Sequence, residues 1–152
     1  MAWNQVAIVG AGLIPFGELF DMSYEAMIQQ AYLRAIQSVD KGMDPEEIEA
    51  GWLGTCMGSM MGLEIPGGAT AAGTIGLVDV PLTRIENGCP TGGDTFRNAC
   101  LGVASGVYRV ALVIGAEKMR DKPTGESLLG IAGQGHPIFT RGMLAPSMFA
   151  PQ

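Results

Sequence analysis

The segment over residues 107–115 is almost continuously apolar. A run of this length and composition is typical of a strand that is buried on both faces of a parallel sheet, because each face then needs an apolar side chain. The pattern over residues 90–106 is helical and ends in glycine, and residues 82–86 before it predict another strand. Parallel strands must be joined by crossovers, so this order predicts βαβ units and an α/β fold.

The earlier part of the chain shows the same alternation. Residues 5–10 form a β-branched run closed by glycine and predict a buried first strand, and residues 51–54 predict another. Between them, the pattern over residues 24–39 is helical, with Asp21 or Ser23 as its N-cap.

Two further helical signals follow. Asp44 is a capping residue followed by proline and two acids, which suits the start of a helix and its dipole. The small residues 69–77 predict a helix that packs very closely against its neighbours. The apolar residues expected to share one face are Met27, Ala31, Ala35, Ile36 and Val39 in the helix over 24–39, and Phe96, Ala99, Cys100, Val103 and Ala104 in the helix over 90–106.

After Glu117 the periodicity is lost, and residues 120–152 contain Pro, Gly and Met without a regular pattern. We therefore divide the chain into one domain over residues 1–120 and the start of a second unit over residues 121–152. The last residues form no capping element, which predicts that the fold continues beyond this sequence.

Charge and composition argue against several classes of function. The net charge is −6 and the nine Lys and Arg are scattered, which argues against nucleic acid and anionic membranes as partners. No apolar run reaches the ~20 residues of a membrane span, and no export signal opens the chain. Three cysteines without such a signal predict reduced thiols in a cytoplasmic protein. Only 16% of the residues are charged, so we expect a partner to cover some apolar surface.

The first glycine cluster, Gly10-Ala11-Gly12, is similar to the start of a dinucleotide-binding fingerprint. The third glycine position is Pro15, and Gly17 follows it, so a helix cannot begin where the pyrophosphate would need one. We therefore interpret these glycines as part of a turn. The one histidine and the dispersed cysteines also lack the spacing of a metal site.

Cys89 stands between the strand over 82–86 and the helix over 90–106. A cysteine at such a junction lies against the positive end of the helix dipole, which favours the thiolate, and its amide can face a developing oxyanion. Gly88, Gly92 and Gly93 leave room beside its sulfur. Because most cysteines are inert, the residues alone leave two interpretations open: a nucleophile or a small buried apolar residue.

The block from Glu86 to Asp121 resembles the thiolase superfamily, in particular the sterol-carrier-type thiolases. The motifs that carry the resemblance are Cys89-Pro90-Thr91-Gly92-Gly93, Phe96-Arg97-Asn98-Ala99, Ala104-Ser105-Gly106, and the strand Val110 to Gly115 with its Gly-x-Glu-x-Met ending at Met119. Further matches are Val6 to Gly10 with Pro15-Phe16-Gly17, and Leu144 to Ala150. Pro90 and Thr91 depart from the small pair that is common in the family.

The resemblance implies half of a duplicated βαβαβ fold, with a mixed sheet, covering helices and the start of a loop domain. It also implies an acyl-CoA C-acyltransferase in which Cys89 forms an acyl-enzyme with a coenzyme A thioester as substrate and no permanently bound cofactor. Family members are more than twice as long as this chain. Their catalytic histidines and a second, acid–base cysteine lie in the second half, so we expect a homo-oligomer or a second subunit that supplies it. A non-catalytic acyl-CoA-binding or scaffold subunit, and aldol-type chemistry, stay open as alternatives.

Several other residues are candidates for the site. Gly135-His136-Pro137 matches a catalytic Gly-His-Pro of the family, but that copy belongs to the second half, so we interpret His136 as a loop histidine. Cys100 is expected in the core, and Cys56 is expected in the core or, less favoured, in a pocket. The remaining expectations are gap-filling roles for Met57, Met60 and Met61, structural roles for Glu117 and Lys118, and an approach of Met119 to the pocket.

Overall fold

The computed structural model describes residues 6–57 and 67–143. The elements in these ranges are helices α1 (Tyr24–Gln37), α2 (Gly68–Thr74), α3 (Thr91–Ala104) and α4 (Thr124–Ala132) and strands β1 (Ala50–Gly54), β2 (Leu82–Ile85) and β3 (Ala111–Gly115), with short 3-10 helices at Pro45–Glu47 and Met119–Asp121.

The three strands form one sheet in the order β2-β1-β3, and both pairings are parallel. In this register Leu53 of β1 lies between Arg84 of β2 and Ile114 of β3. Helix α2 lies in the crossover from β1 to β2, and α3 joins β2 to β3. The predicted α/β class is therefore confirmed. The antiparallel strand that a mixed sheet requires is not among the described residues.

Helices cover both faces of the sheet. Leu53 is fully buried in a cluster with Ile28 of α1 and Ala71 of α2. The alternate position Gly54 faces α3, where a methyl group on it would lie 2.5 Å from the hydroxyl oxygen of Thr95. Because neighbouring strand residues point to opposite faces, β1 is the middle of a three-layer arrangement.

Helix α1 begins after Ser23, whose side chain accepts a hydrogen bond of 3.1 Å from the amide of Ala26. Of the two predicted N-caps, Asp21 and Ser23, the structure therefore has Ser23. The buried residues of α1 are Tyr24, Ile28 and Tyr32. The predicted stripe over Met27, Ala31, Ala35 and Val39 is only half-buried, because it faces the N-terminal segment rather than the sheet.

The predicted first strand is wrong for the part that the structure describes, since residues 6–10 pair with no described strand. Ile8 is 73% exposed, and the backbone instead approaches α1. A methyl group on Gly10 would lie 2.7 Å from the carbonyl oxygen of Ala35, and one on Gly12 would overlap the α1 backbone. These two glycines therefore permit a close backbone contact and do more than turn the chain.

Strand β3 begins at Ala111, four residues later than predicted. The backbone before it is held by Arg109, whose amide and Nε donate to Glu49 at 2.6 and 2.9 Å. Burial on both faces is also wrong, because Val113 is 37% exposed. β3 is an edge strand of the described sheet, so one side of its backbone pairs with no strand within the described residues.

Helix α3 has the predicted position but a rotated buried face. Thr91, Thr95, Ala99 and Cys100 are buried, whereas Phe96 is 44% exposed. Two hydroxyls replace expected apolar side chains on this face. They are tolerated because Thr95 donates to the carbonyl oxygen of Thr91 at 2.6 Å, which satisfies the hydroxyl inside the helix.

The predicted helix start at Asp44 is a single 3-10 turn with a complete capping box. Helix α4 was not predicted, because its nine residues include two glycines and show little periodicity. It is fixed to the preceding turn by a hydrogen bond of 3.0 Å from the Ser127 hydroxyl to the carbonyl oxygen of Met119. The predicted boundary near residue 120 stays a prediction, and residues 144–150 lie outside the described residues. None of the helices described has the length and apolar character needed to cross a membrane.

Candidate active site

The carboxyl ends of the three parallel strands meet at one edge of the sheet. The ladder continues just past the strands, with Thr55 donating its amide to Ile85 at 3.2 Å and Ala116 donating to Gly54 at 3.1 Å. The loops that follow β1, β2 and β3 are therefore neighbours, although they are far apart in sequence. Ligand sites of open parallel sheets form at this edge.

Cys89 lies at the tip of the turn from β2 to α3. Gly88 before it has a φ of +58°, a conformation that favours glycine. The hydroxyl of Thr91 accepts a hydrogen bond of 2.8 Å from the amide of Asn87 and donates one of 2.6 Å to the carbonyl oxygen of Gly88. Thr91 thus holds both sides of the turn, and the exposed Cys89 thiol stands at the amino end of a 14-residue helix.

A cavity of about 540 Å³ opens at Cys89. Its walls come from the N-terminal segment, from α1 and from the ends of all three strands. The lining residues are 12–17, Leu19, Met27, Ala31, 54–56, 88–89, 91–92 and 115–121. Most of this lining is apolar, which suits an organic group better than a solvated ion.

Three glycines near the carboxyl edge of the sheet have open space beside their backbones. A methyl group on Gly92, Gly93 or Gly115 would meet no atom within 4 Å. Close packing within the described residues therefore does not require glycine at these positions. The open space at Gly92 and Gly93 agrees with the sequence prediction, but beside Gly88 a methyl group would lie 3.3 Å from Oε1 of Gln134.

Cys56 also lines this cavity, so the favoured expectation that it packs in the core is wrong. Its amide donates to the Glu117 carboxylate at 2.7 Å, and the amide of Met57 donates to the same oxygen at 3.1 Å. The hydroxyl of Thr55 donates to the other carboxylate oxygen at 3.3 Å. Burial raises the pKa of the Cys56 thiol, a hydrogen bond from Gln134 lowers it, and the Glu117 charge raises it.

Gln134 reaches this site from the residues after α4. Its Nε2 donates to the Cys56 sulfur at 2.7 Å, and its Oε1 lies 3.9 Å from the Cys89 sulfur. The same oxygen would be 3.3 Å from a methyl group on Gly88. One carboxamide therefore lies between the two thiols and packs over Gly88 in the turn from β2 to α3.

Tyr24 of α1 contacts the backbone just after β3, next to the cavity. Its hydroxyl donates to the carbonyl oxygen of Ala116 at 2.9 Å, which ties α1 to the end of β3. Burial raises the pKa of Tyr24 to about 12, and a hydrogen bond with Thr55 acts in the opposite direction. The phenol is therefore a neutral donor at physiological pH.

The other candidates separate into pocket, core and loop positions. Met119 and Lys118 line the cavity, and Lys118 forms an ion pair with Asp121. Cys100 is buried, as predicted.

His136 is exposed. Its Nδ1 accepts hydrogen bonds from the amides of Ile138 and Phe139, and the residue does not line the cavity. Met57 is buried, while Met60 and Met61 lie outside the described residues. Among the residues described, no three His, Cys, Asp or Glu side chains form a metal-binding group.

Sequence reasoning missed Gln134 and the function of Thr91. Gln134 follows Cys89 by 45 residues in a glycine-rich stretch, and no motif surrounds it. In the sequence, Thr91 is notable only because it differs from the small residue that is common in the family at this position. The signal that could have identified it is its position two residues after the cysteine, where a hydroxyl can bridge the turn.

The Cys89 thiol therefore stands at the amino end of a helix and at a cavity on the carboxyl edge of a parallel sheet, the edge at which α/β proteins bind their ligands. Residues 6–148 match the family model described as thiolase, N-terminal domain, and the chain belongs to the thiolase family. It is 30% identical over 147 residues to the acetyl-CoA acetyltransferase of Methanothermobacter thermautotrophicus and 32% identical over 147 residues to that of Methanocaldococcus jannaschii. Both matches cover 97% of this chain, which spans 38% and 37% of the length of those relatives.

Proposed function

We propose that this chain is part of an acyl-CoA C-acyltransferase in which Cys89 carries the acyl group. The observation that supports this best is the exposed Cys89 thiol at the amino end of α3, facing an apolar cavity. An apolar cavity accepts the acyl chain, and the helix dipole favours the thiolate that attacks. The names of the two relatives support a coenzyme A thioester as the substrate class.

In the proposed first step, the Cys89 thiolate attacks the carbonyl carbon of an acyl-CoA or 3-oxoacyl-CoA. A sulfur–carbon bond forms, the bond to the leaving group breaks, and the leaving group takes up a proton. Coenzyme A or a carbon nucleophile then attacks the acyl-enzyme and returns the Cys89 thiolate. The amide of Cys89 donates no hydrogen bond to the described residues, so it is available to the developing oxyanion.

Proton transfer in the proposed reaction needs an acid and a base, and no histidine lines the cavity among the described residues. His136 is the one histidine in the sequence, and it does not line the cavity. By resemblance, the catalytic histidines and a second cysteine lie in the part of the family's length that this chain does not span. We therefore propose that the chain acts together with that second half, in an oligomer or a complex with a second subunit. We further propose that this assembly is cytoplasmic and acts on acyl-CoA in lipid metabolism.

The test is mass spectrometry of the complete enzyme after incubation with acetyl-CoA. We expect an acetyl adduct that maps to Cys89 in the unsubstituted protein and is absent in Cys89→Ser. Cys100→Ala is the matched control, because that thiol is buried away from the cavity, and it should retain the adduct. An adduct that persists in Cys89→Ser would refute the assignment. Thiolysis that depends on Cys89 in this chain alone would refute the need for a second half.

A second candidate is a non-catalytic scaffold or acyl-CoA-binding subunit. The observation that favours it is the exposed apolar surface of the N-terminal segment, where Phe16 is 92% exposed and Ile8 is similarly accessible. Such a surface is typical of a protein contact. Cys89→Ser separates the candidates by size-exclusion chromatography and assay: assembly retained with activity lost supports catalysis, whereas assembly and activity both retained support the scaffold.

A further inference from the structure

Part of the cavity at Cys89 is lined by one short stretch of the chain, residues 12–17 with Leu19, which we call the N-terminal wall. Every residue of this wall is apolar, and Met27 and Ala31 of α1 add further apolar side chains to the lining. Among the described residues, the charged groups of the lining all belong to the loop after β3, within 115–121. The cavity therefore takes its apolar and its charged surfaces from different segments.

The N-terminal wall is attached at both ends. At its start, the carbonyl oxygen of Leu13 accepts a hydrogen bond of 2.6 Å from the Arg34 guanidinium of α1. At its end, Glu18 forms an ion pair with Arg120 in the loop after β3. The wall thus connects α1 to the loop after β3, and its position relative to the cavity is fixed by residues that are distant in the sequence.

Three side chains of this surface are partly removed from solvent. Ile14, Leu19 and Met27 are half-buried and line the cavity. Phe16, in contrast, is 92% exposed, so it remains available for the protein contact considered above. The half-buried side chains are therefore the ones that a molecule inside the cavity would contact.

The size of the cavity favours a ligand larger than an acetyl group. A volume of about 540 Å³ lies within the range of sites that enclose drug-sized molecules. An acetyl group on Cys89 would leave most of the N-terminal wall in contact with water. Each methylene group that is added to the acyl chain and buried against this wall should improve binding by roughly two- to fourfold.

We propose that the N-terminal wall binds the acyl chain of the substrate, that Ile14, Leu19 and Met27 determine the preferred chain length, and that this is a straight chain of medium length such as hexanoyl. This inference rests on the proposed function of Cys89 as the acyl carrier. The pantetheine arm of coenzyme A fits the wall less well, because apolar side chains cannot satisfy its amide groups. The acyl chain is the part of the substrate that an apolar wall stabilises.

The test is the reaction of the complete enzyme with methyl, butyl and hexyl methanethiosulfonates. The Cys89 thiolate attacks the sulfur that carries the alkyl group, a disulfide forms, the bond to the sulfonyl group breaks, and methanesulfinate leaves. The alkyl chain then extends from the Cys89 sulfur, as an acyl chain would. Mass spectrometry gives the rate at Cys89, which is divided by the rate of free cysteine with the same reagent.

We expect this relative rate to rise by roughly two- to fourfold for each added methylene group. Ile14→Ser and Met27→Ser should each lower the ratio of the hexyl to the methyl rate by roughly three- to tenfold, because they remove apolar contacts of the longer chain. Leu33→Ser is the matched control, since Leu33 lies on α1, is 48% exposed and does not line the cavity. It should leave the ratio unchanged.

The buried Cys100 reports folding, because it becomes reactive if a variant unfolds. If Met27→Ser exposes Cys100, then Ile14→Ser decides, since Ile14 belongs to no helix or strand. A relative rate that does not depend on chain length overturns the proposal. A hexyl to methyl ratio that is the same in folded Ile14→Ser and in Leu33→Ser overturns it as well.

The chain-length proposal and the proposed function fail separately. Hexanoyl-CoA is added beside acetyl-CoA in the adduct assay described above. If neither gives an adduct on Cys89, the acyl-carrier assignment is refuted, and the chain-length proposal is refuted with it. If both give adducts at equal rates and the alkyl series shows no dependence on chain length, only the chain-length proposal is refuted. A faster adduct from hexanoyl-CoA supports both.

Discussion

The Glu117 carboxylate accepts a hydrogen bond of 2.7 Å from the backbone amide of Cys56, 61 positions earlier in the chain. The same carboxylate accepts from Met57 and Thr55, so one side chain after β3 orders the three residues after β1. This contact sets the position of Cys56 at the cavity. It also gives the Gly-x-Glu-x-Met ending of the strand a physical function, because no neutral side chain of this length offers two acceptor oxygens.

Glu117→Gln should lower the free energy of unfolding by about 2 kcal/mol, because an NH₂ group would face amides that need an acceptor. Urea denaturation followed by circular dichroism measures the loss. The matched control is Glu46→Gln at an exposed position of the 3-10 turn, which should change stability little. Equal stability of the two variants would show that the contact has no structural effect.

Two tyrosines of α1 should respond in opposite ways to the same substitution. Tyr24→Phe removes the hydroxyl that donates to Ala116 and should cost about 1 kcal/mol at neutral pH. Tyr32→Phe removes a buried hydroxyl that has no hydrogen-bond partner in the described part of the chain, so it should be neutral or stabilising by up to about 1 kcal/mol. Denaturant titration of both variants decides this, and a comparable loss in the two would contradict it.

The free energy of unfolding should decrease at high pH because Tyr24 ionises there. Its folded pKa of about 12 lies above the ordinary value of 10.0, so the folded state holds the proton more tightly than the unfolded state. The stabilisation is therefore complete below pH 10.0 and is lost as the pH rises towards about 12. Denaturation across this alkaline range should show a steeper decline for the unsubstituted chain than for Tyr24→Phe. Parallel declines would exclude Tyr24 as the cause.

Gly12→Ala should displace the N-terminal wall of the cavity. Its methyl group would overlap the carbonyl of Ala31 and the amide of Ala35, which belong to the α1 backbone and cannot rotate away. We expect a loss of about 1–3 kcal/mol and faster hydrogen exchange in α1. Gly17→Ala is the control, because its methyl group meets nothing within 4 Å. A Gly12→Ala protein with unchanged exchange would show that the segment does not rest on α1.

The three thiols should differ in reactivity. We expect Cys89 to react with iodoacetamide well before Cys56 and Cys100, because Cys89 is exposed at the start of α3 and Cys100 is buried. Cys56 is half-buried and its thiol has a raised pKa, so it stays protonated at neutral pH. Peptide mapping after brief labelling measures the order. Equal labelling of all three at neutral pH would count against Cys89 as an activated nucleophile.

Local patterns predicted most of the regular structure because capping and periodicity act within a few residues. Ser23 at the start of α1 and the junction at Cys89 are examples. The prediction of an N-terminal strand is wrong because strand formation depends on a partner that is distant in the sequence. A β-branched run forms a strand only where a neighbouring strand accepts its hydrogen bonds, and residues 6–10 pair with no strand in the described ranges.

Sequence alone determined the α/β class, the position of Cys89 between strand and helix, and the family to which the chain belongs. The tertiary structure decided which side chains surround that cysteine. The parallel register brought Cys56, Glu117 and Cys89 to one edge, and the path of the chain after α4 brought Gln134 between the two thiols. These contacts join residues 45 to 78 positions apart, and no short-range pattern encodes them because they depend on how separate elements pack.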